Sequence, residues 1–544
     1  TKQQAIISAT QGPGVRSQRK PWALQSVRMS ATAQNSSFDE LFPTTADPNS
    51  NSMMLTDYDT IGNDLTQTTQ FDPTAYGLEG DNSIDNATDE DTDQDKLLGR
   101  QGSQTLVGDT DSLQGLWKSD GYGWIVEAKG NELSFIDVTK NSFIPSFSVN
   151  NVDQTPGDGE VDFAATTPDL AAFDLKIKST NDDDVKTVDI EGDSTEITLQ
   201  RIDEKPEVSE QPTPNDPLTN FDVFWDTFAE NYNAFLLKDV DWQAVREEYR
   251  PQVTSETTPE QLFEILSSAI EPLNDVHTRI SAEDIGKTFR GERDDTDYEA
   301  AVQKIEQIKG ITDQYLSEPL QSWGNGNISY GKLDSGAGYL RIDSFGEYTD
   351  SGKFEDDLAE LNTALDTIFS QPDQPENLVI DLRLNGGGSD ELGLEIASRL
   401  TDKPYLAYTK IARNDPNDTS GFTDPQSVMV QPNDKPGFLG DVTLLTSRYS
   451  TSAAETFTES LIGREQSVVR VGETTQGVYS DVLEKTLPNG WKFGLGNELF
   501  LTEEGKTFES EGIPADVQVP VFTDEDLANG RDSAIEKTEE ILAA

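Results

Sequence analysis

Three hydroxyl side chains, Ser450, Thr451 and Ser452, stand between an apolar stretch typical of a strand and a stretch from Ala453 that is typical of a helix. A residue at the N-terminus of a helix lies beside backbone N–H groups that have no partner within the helix, and the helix dipole favours negative charge there. These groups can stabilise the oxyanion that forms when a hydroxyl attacks a carbonyl carbon. The segment is therefore compatible with a nucleophilic serine. Its alternative is a hydroxyl that only caps the helix.

Three successive glycines at 386–388 follow a second apolar stretch, which ends near Asp381. Glycine adopts positive φ values without steric cost, so such a run lets the backbone approach a ligand and present an N–H group to a carbonyl oxygen. A phosphate-binding loop is disfavoured because no lysine followed by serine or threonine comes after the glycines. A flexible turn without chemistry is the other interpretation of this segment.

His277 is the only histidine of the chain. A hydroxyl nucleophile needs a base whose pKa lies near neutrality, and the imidazole of His277 is the only one that the chain offers. A single histidine can also be a packed residue without chemistry. Its assignment as a base therefore depends on whether the fold brings it to the hydroxyl.

Three segments, taken together and in this order, resemble the signature of the tail-specific (C-terminal processing) and tricorn core proteases, a family of serine peptidases: residues 381–387, 452–455 and 472–475. The resemblance extends over roughly 218–520. In that family the nucleophile stands three residues before a glutamate, which implies Ser452 here. The resemblance also implies an oxyanion hole made by the N–H groups of Ala453 and of the glycine loop, where Gly387 is the candidate.

One branch of this family uses a Ser-Lys dyad, and the chain departs from it. The family places that lysine directly after a glycine, and here Val478 follows Gly477. Lys485 comes too late in the chain to replace the lysine. The dyad branch is therefore disfavoured.

The tricorn-like branch takes a histidine from the helical region and a glutamate near the C-terminus. Residues 273–278 and 508–514 resemble the two segments that carry them, which implies His277 and Glu509 for these roles. That branch can also carry a hydroxyl directly before the histidine, where this chain has Val276. A fourth catalytic residue stays open, because neither of its candidates has a decisive signal: Thr278 and Ser480.

The resemblance implies that His277 takes the proton of Ser452 as the hydroxyl attacks a peptide carbonyl, and then donates it to the leaving amine. Glu509 orients the imidazole and stabilises its charged form. Water hydrolyses the acyl-enzyme, and neither a metal ion nor an organic cofactor is expected. The implied function is a serine-type peptidase that acts on proteins or peptides.

The chain is strongly acidic, with 41 Lys and Arg against 101 Asp and Glu and a net charge of −60. Such a surface repels nucleic-acid phosphates and anionic lipid headgroups, which excludes both as partners. The absence of cysteine excludes disulfides, a thiol nucleophile and a thiolate metal site. The sequence contains no apolar run of about 18 residues, so membrane insertion is not predicted. The expected location is extracellular or periplasmic, although the sequence shows no clear export signal, and the oligomeric state is not indicated.

The pattern of secondary structure predicts an α/β fold. Thr258, Pro259 and Gln261 predict the start of a helix with a capping box. Further along, strands alternate with helices, as in α/β domains. The predicted strands lie at 338–342, 378–382 and 442–446, and the predicted helices at 354–369 and 453–462; residues 280–328 are predicted to be mostly helical, without a PDZ-type module.

The expected domain organisation combines composition with the family resemblance. The resemblance implies a crotonase/ClpP-like ββα core with a helical N-terminal subdomain, preceded by a small antiparallel β domain and a disordered N-terminal region. The expected parts are a disordered leader and acidic linker (1–112), the β domain (113–204), a linker (205–217), the helical subdomain with the histidine segment (218–327), the α/β serine protease core (328–523) and a C-terminal helix (524–544).

Two other functions are compatible with such a fold, because fold alone does not determine activity. A non-catalytic protein could bind apolar ligands or peptides, but it has no reason to retain Ser452, His277 and Glu509 together. A crotonase-type acyl-CoA enzyme also uses backbone N–H groups as an oxyanion hole. It needs no Ser-His pair, and an acidic protein is a poor host for anionic CoA.

Overall fold

The computed structural model of the chain describes residues 113–151, 160–165, 174–293, 296–415 and 418–543. The leader and acidic linker that the sequence predicts at 1–112 lie outside these residues. Within them, the structure is a mixed α/β fold with several sheets.

Eight antiparallel strands at the start of the described chain close into a barrel. They are β1 (Gly115–Ser119), β2 (Trp124–Lys129), β3 (Glu132–Thr139), β4 (Ser142–Asn151), β5 (Glu160–Ala165), β6 (Asp174–Ser179), β7 (Val185–Ile190) and β8 (Glu196–Ile202). Alternation along β6 and β8 buries Leu175, Ile177, Ile197 and Leu199. The sequence predicts the antiparallel strands but not the closure, because closure needs the distant strands β1 and β8 to pair.

Three helices follow the barrel: α1 (Pro217–Asn231), α2 (Trp242–Tyr249) and α3 (Pro259–Ile270). The capping box predicted for α3 is confirmed, since the Gln261 N–H donates to Thr258 Oγ1 and the Thr258 N–H donates to Gln261 Oε1. The apolar face of α1 packs into the same core as the barrel interior through Phe221 and Phe224. The barrel and the helices therefore share one apolar core.

Strands β9 (Arg279–Ala282) and β10 (Lys287–Arg290) come next and are followed by helix α4 (Tyr298–Thr312). The prediction of mostly helix for 280–328 was wrong for these two strands and for a third strand at 321–323. Strands β9 and β10 form because β9 pairs with a strand at 492–496, and such long-range pairing overrides local preference. His277 stands just before β9.

The remaining strands are β11 (Gln321–Trp323), β12 (Ile328–Lys332), β13 (Gly338–Ile342), β14 (Asn377–Asp381), β15 (Tyr405–Ala412), β16 (Gln426–Val430), β17 (Asp441–Thr446), β18 (Val468–Gly472), β19 (Val482–Thr486), β20 (Lys492–Gly496), β21 (Glu498–Leu501) and β22 (Val517–Gln518). The remaining helices are α5 (Phe354–Phe369), α6 (Asp390–Ser398), α7 (Ala453–Ser460), α8 (Asp524–Asn529) and α9 (Ser533–Leu542). The predicted strands that correspond to β13, β14 and β17, and the helix α5, are confirmed.

A seven-stranded sheet in the order β11-β12-β13-β14-β17-β18-β22 forms the centre of the α/β region. From β13 onward its strands are parallel. The neighbours β14 and β17 end at the same edge, where ligands of open parallel sheets bind. The glycines at 386–388 follow β14 and Ser452 follows β17, so the sheet brings the two segments together.

Two further sheets complete the described fold, in the orders β10-β9-β20-β19 and β16-β15-β21. Helices α5, α6 and α7 pack on the large sheet through an apolar core that includes Leu340, Ile380, Leu365, Ile396 and Phe457. Among the described residues, no helix is both long enough and apolar enough to span a membrane.

Candidate active site

Ser452 stands at the turn between β17 and α7, directly before the first residue of the helix. Its φ of 57° and ψ of −124° are rare for a residue with a side chain, and such strain persists only where the surroundings fix it. The Ser452 N–H donates to Val478 O at 3.0 Å, and the side chain is half-buried. No acceptor for the next N–H group, that of Ala453, is found in the described part of the chain. A backbone donor therefore lies free beside the hydroxyl.

The glycine loop lies directly against this serine. A Cβ atom on Gly387 would be 2.7 Å from Ser452 Cβ and 3.1 Å from Ala453 N, so a side chain does not fit there. The N–H of Gly387 donates to Asn385 Oδ1 at 2.8 Å. Within the described ranges, the N–H of Gly388 has no acceptor. The oxyanion role expected for the Gly387 N–H therefore requires that its bond to Asn385 be exchanged for one to substrate.

Arg383 anchors the chain between β14 and the glycines. Its guanidinium is almost fully buried and pairs with Asp381 at 2.6 Å and with Asp532 at 2.7 Å. Pairing on both sides stabilises a buried charge that would otherwise be costly. The glycine loop is thereby fixed to the end of β14 and to the start of α9.

Glu455 holds the loop after β18 against the serine. Its carboxylate has no exposed surface and accepts the N–H groups of Gly477 at 2.6 Å, Val478 at 2.8 Å and Ser452 at 3.3 Å. Burial raises its pKa to about 7, against the opposing effect of these hydrogen bonds. The sequence identifies Glu455 only as a residue of the motif. Its role in holding the loop was not predicted, because that role depends on contacts with backbone groups distant in sequence.

Replacing Glu455 with glutamine is expected to lower the free energy of unfolding by about 1–3 kcal/mol, because an amide accepts through only one of its two terminal atoms and leaves a buried N–H donor unpaired. The matched control is Glu459→Gln, one turn later on α7. Glu459 is equally buried, but neither of its carboxylate oxygens has a partner among the described residues, so its variant is expected to be near neutral. Urea unfolding measures both changes. Equal losses in the two variants would contradict the anchoring role.

His277 is buried. The backbone N–H of His277 donates to Asp275 Oδ1 at 2.8 Å, and the Tyr232 hydroxyl donates to Asp275 Oδ2 at 2.7 Å. Burial lowers the pKa of the imidazole to about 4, so the ring is neutral at neutral pH, and its charged form requires stabilisation by a nearby carboxylate. In the described structure, Nδ1 has no hydrogen-bond partner. The roles of Asp275 and Tyr232 were not predicted from the sequence. The only signal for Asp275 is its position two residues before the histidine.

Glu509 lies in the same buried region. Its Oε2 accepts the N–H of Tyr479 at 3.0 Å, and Tyr479 directly follows the residue that accepts the Ser452 N–H. Burial raises the pKa of Glu509 to about 8, and the nearby carboxylate of Asp275 contributes to the rise. No hydrogen bond joins Glu509 to the imidazole within the described residues.

Three contacts connect the histidine segment with the serine segment. Arg290 Nε donates to Val276 O at 3.1 Å, and the Arg290 guanidinium lies 5.3 Å from the centroid of the Tyr298 ring. The Tyr298 hydroxyl in turn shares a hydrogen bond of 2.9 Å with Thr451 Oγ1. Val276 and Thr451 directly precede the histidine and the serine, so the two segments lie close together. The imidazole and the serine hydroxyl themselves share no hydrogen bond in the residues that the structure describes.

Three other candidate groups have structural contacts. Thr278 Oγ1 donates to Asp275 O at 2.7 Å. Ser480 Oγ accepts two backbone N–H groups where β20 gives way to β21. Lys485 Nζ donates to Asp137 Oδ1 of the barrel at 2.8 Å. Lys485 is thus held at the contact with the barrel.

The stability of this buried region is expected to fall as the pH rises. Glu455 and Glu509 have folded-state pKa values of about 7 and about 8, above the ordinary 4.5. Between pH 4.5 and 8 the unfolded chain therefore binds fewer protons than the folded chain, and the free energy of unfolding decreases. Urea unfolding at pH 5.5 and pH 8 measures the change, with the double variant Glu455→Gln and Glu509→Gln as the control with a weaker dependence. Greater stability at pH 8 would contradict the prediction.

Two family models match the chain: that of peptidase family S41 over residues 336–519, and that of the tricorn protease C1 domain over residues 213–270. The first match contains the glycine loop, Ser452 and Glu509. This match shows that residues 336–519 are similar to peptidase family S41. The chain is a serine-type peptidase with tricorn-like features, as the sequence predicts.

The chain is also similar to solved structures. A putative peptidase from Parabacteroides merdae ATCC 43184 is 29% identical with a TM-score of 0.51, and the match covers 61% of this chain and 98% of that one. The photosystem II D1 C-terminal processing protease is 14% identical with a TM-score of 0.36, over 56% and 94% of the two chains. The tricorn protease is 13% identical with a TM-score of 0.38, over 76% and 54%. No curated protein matches the sequence of the chain.

Proposed function

We propose that the S41 domain hydrolyses peptide bonds of proteins or peptides through an acyl-enzyme on Ser452, with His277 as general base. The observation that carries this proposal is the turn at Ser452. A strained, half-buried serine there begins a helix, with Gly387 in contact and the free N–H of Ala453 beside it. A serine that served only as a helix cap would not need a positive φ, since caps ordinarily adopt extended backbone.

In the proposed reaction, His277 takes the hydroxyl proton as Ser452 Oγ bonds to the substrate carbonyl carbon. The oxyanion that forms accepts the N–H of Ala453 and one N–H of the glycine loop, Gly387 in our assignment. The imidazolium then donates its proton to the leaving amine, and the C–N bond breaks. Water, deprotonated by the same imidazole, hydrolyses the ester and releases the second product.

Glu509 is proposed to orient the imidazole and, in its ionised form, to stabilise the charged ring. Because burial raises its pKa to about 8, Glu509 must first lose its proton at neutral pH. Nδ1 of His277 is buried and lacks a partner, so a carboxylate that moved to it would gain a hydrogen bond without displacing another at that atom. Asp275 is a nearby acid, but its carboxylate already accepts the Tyr232 hydroxyl and a backbone N–H.

We also propose the division of the chain given by the sequence: a β domain at 113–204, a helical subdomain at 218–327 and a crotonase/ClpP-like protease core at 328–523. The single helix expected at 524–544 is instead two helices, α8 and α9, because the chain turns at Gly530. We further propose that the protein acts in the periplasm or outside the cell, where its charge of −60 would favour solubility.

A fluorophosphonate probe tests the nucleophile, because it forms a covalent bond with an activated serine hydroxyl. The wild-type protein is expected to be labelled and to hydrolyse casein or a peptide mixture, and Ser452→Ala is expected to do neither. Ser450→Ala controls for a neighbouring hydroxyl, and mass spectrometry of the labelled peptide identifies the modified residue. Equal labelling of wild type and Ser452→Ala would refute the assignment.

A further inference from the structure

The turn between β7 and β8 of the barrel docks on the start of α6, directly after the glycine loop. Gly192 O accepts the Ser389 hydroxyl at 2.7 Å, and the Gly192 N–H donates to Glu391 Oε2 at 3.2 Å. The next contact joins the Ser194 hydroxyl to Asp390 Oδ2 at 3.1 Å. Three consecutive residues of α6 and its cap, 389–391, are therefore held by the barrel.

Asp390 extends this contact to the helix that begins after the nucleophile. Its Oδ1 accepts the Thr456 hydroxyl at 2.7 Å, and Thr456 lies one turn along α7 from Ser452. The carboxylate of Asp390 is almost fully buried. One side chain thus joins the barrel turn, through Ser194, to the helix whose first N–H groups face the reacting carbonyl.

Lys410 on β15 strengthens the docking by ion pairs from both sides of the interface. Its ammonium lies 3.3 Å from Asp193 of the barrel, and 3.0 Å from Asp481 and 3.3 Å from Glu498 of the core. Three carboxylates lie close enough together to be able to hold a metal ion: those of Asp193, Asp390 and Asp481. Because the lysine ammonium already lies among them, we assign the cluster to docking and not to a metal ion.

The glycine loop has little freedom to move independently of α6. Phe345 N donates to Gly387 O at 2.9 Å, and the Ser389 N–H donates to Phe345 O at 2.7 Å. A Cβ atom on Gly388 would lie 2.0 Å from Phe345 O, which shows how closely the two backbones approach. A shift of Ser389 therefore moves the glycines that face the nucleophile.

We propose that the barrel turn at 191–195 is a positioning element of the peptidase site, which holds the glycine loop and α7 in register through Ser389 and Asp390. This inference rests on the proposed function of Ser452. It assigns to the barrel a role in setting the oxyanion hole, so loss of its contacts lowers the rate of acylation and leaves substrate affinity almost unchanged.

The test compares Ser194→Ala, which removes the hydroxyl that bonds to Asp390, with Ser194→Thr, which retains one. Ser194→Ala is expected to lower kcat and the rate of fluorophosphonate labelling by roughly tenfold to a hundredfold, as misplacement remote from the chemistry can do, with KM within about twofold. Ser194→Thr is expected to restore most of the rate. Asp183→Ala, in the exposed turn at the opposite end of β7, is the control that leaves the rate unchanged.

A double-mutant cycle separates positioning from a general loss of stability. Ser194→Ala and Thr456→Val remove the two hydroxyls that bond to Asp390, and their effects on the labelling rate are expected to be strongly non-additive. Additive effects, or labelling of Ser194→Ala at the wild-type rate, would overturn the inference. If the wild type itself is not labelled, the proposed function fails instead, and the two outcomes are distinct.

Discussion

His277→Ala is expected to lower kcat for peptide hydrolysis by roughly ten thousandfold or more, the scale on which the loss of a general base acts in serine peptidases. Burial lowers the pKa of the imidazole to about 4, so the ring is neutral at neutral pH and acts as a base only when a nearby carboxylate stabilises its charged form. The chain contains no other histidine. Lys485, the lysine nearest in sequence to the position of the dyad branch, is bonded to Asp137 of the barrel and cannot replace the imidazole in this arrangement.

The measurement is steady-state hydrolysis together with fluorophosphonate labelling, since both require an activated hydroxyl. Thr278→Val serves as the matched control, because it changes the next side chain without removing an ionisable group. Its hydroxyl donates only to the backbone oxygen of Asp275, and its loss is expected to affect stability more than the chemical step. A His277→Ala protein with kcat within tenfold of wild type would show that another group acts as the base.

The glycine loop and the serine turn of the candidate site were predictable from the sequence because their signals are local. A buried strand followed by glycines, and a strand followed by a hydroxyl and a helix, each occupy a few consecutive residues. The parallel pairing of β14 with β17 then brings Gly387 and Ser452 together without any further information. The capping box of Thr258 and Gln261 was predictable for the same reason.

Contacts between segments far apart in sequence were not predictable from a single chain. Closure of the barrel depends on pairing between β1 and β8. The roles of Glu455 and of Asp390 depend on backbone and hydroxyl groups that no periodic pattern marks. The same limit applies to the N–H of Gly387, whose bond to Asn385 depends on the local path of the loop and not on residue type alone.

The glycine loop offers the second large effect, because adjacent positions differ sharply in the space they have. Gly387→Ala would place a Cβ 2.7 Å from Ser452 Cβ and 2.9 Å from Thr451 O, on a residue whose φ is 103°. Gly386→Ala would place its Cβ with nothing within 4 Å, at a position without the positive φ. Both variants replace glycine with alanine, at adjacent positions, so they form a matched pair.

Gly387→Ala is expected to lower kcat by roughly a hundredfold to a thousandfold, the cost of removing one oxyanion donor, because the loop must retreat from the serine and carries its N–H groups with it. Gly386→Ala is expected to remain within about threefold of wild type, since an alanine there meets no steric conflict. Labelling rates should follow kcat in both variants, and thermal unfolding should show that each protein remains folded. This outcome does not depend on whether Gly387 or Gly388 supplies the N–H, because both belong to the segment that is displaced. Equal activity of the two variants would mean that the close approach at Gly387 has no part in catalysis, and the serine would then have to act without the glycine loop.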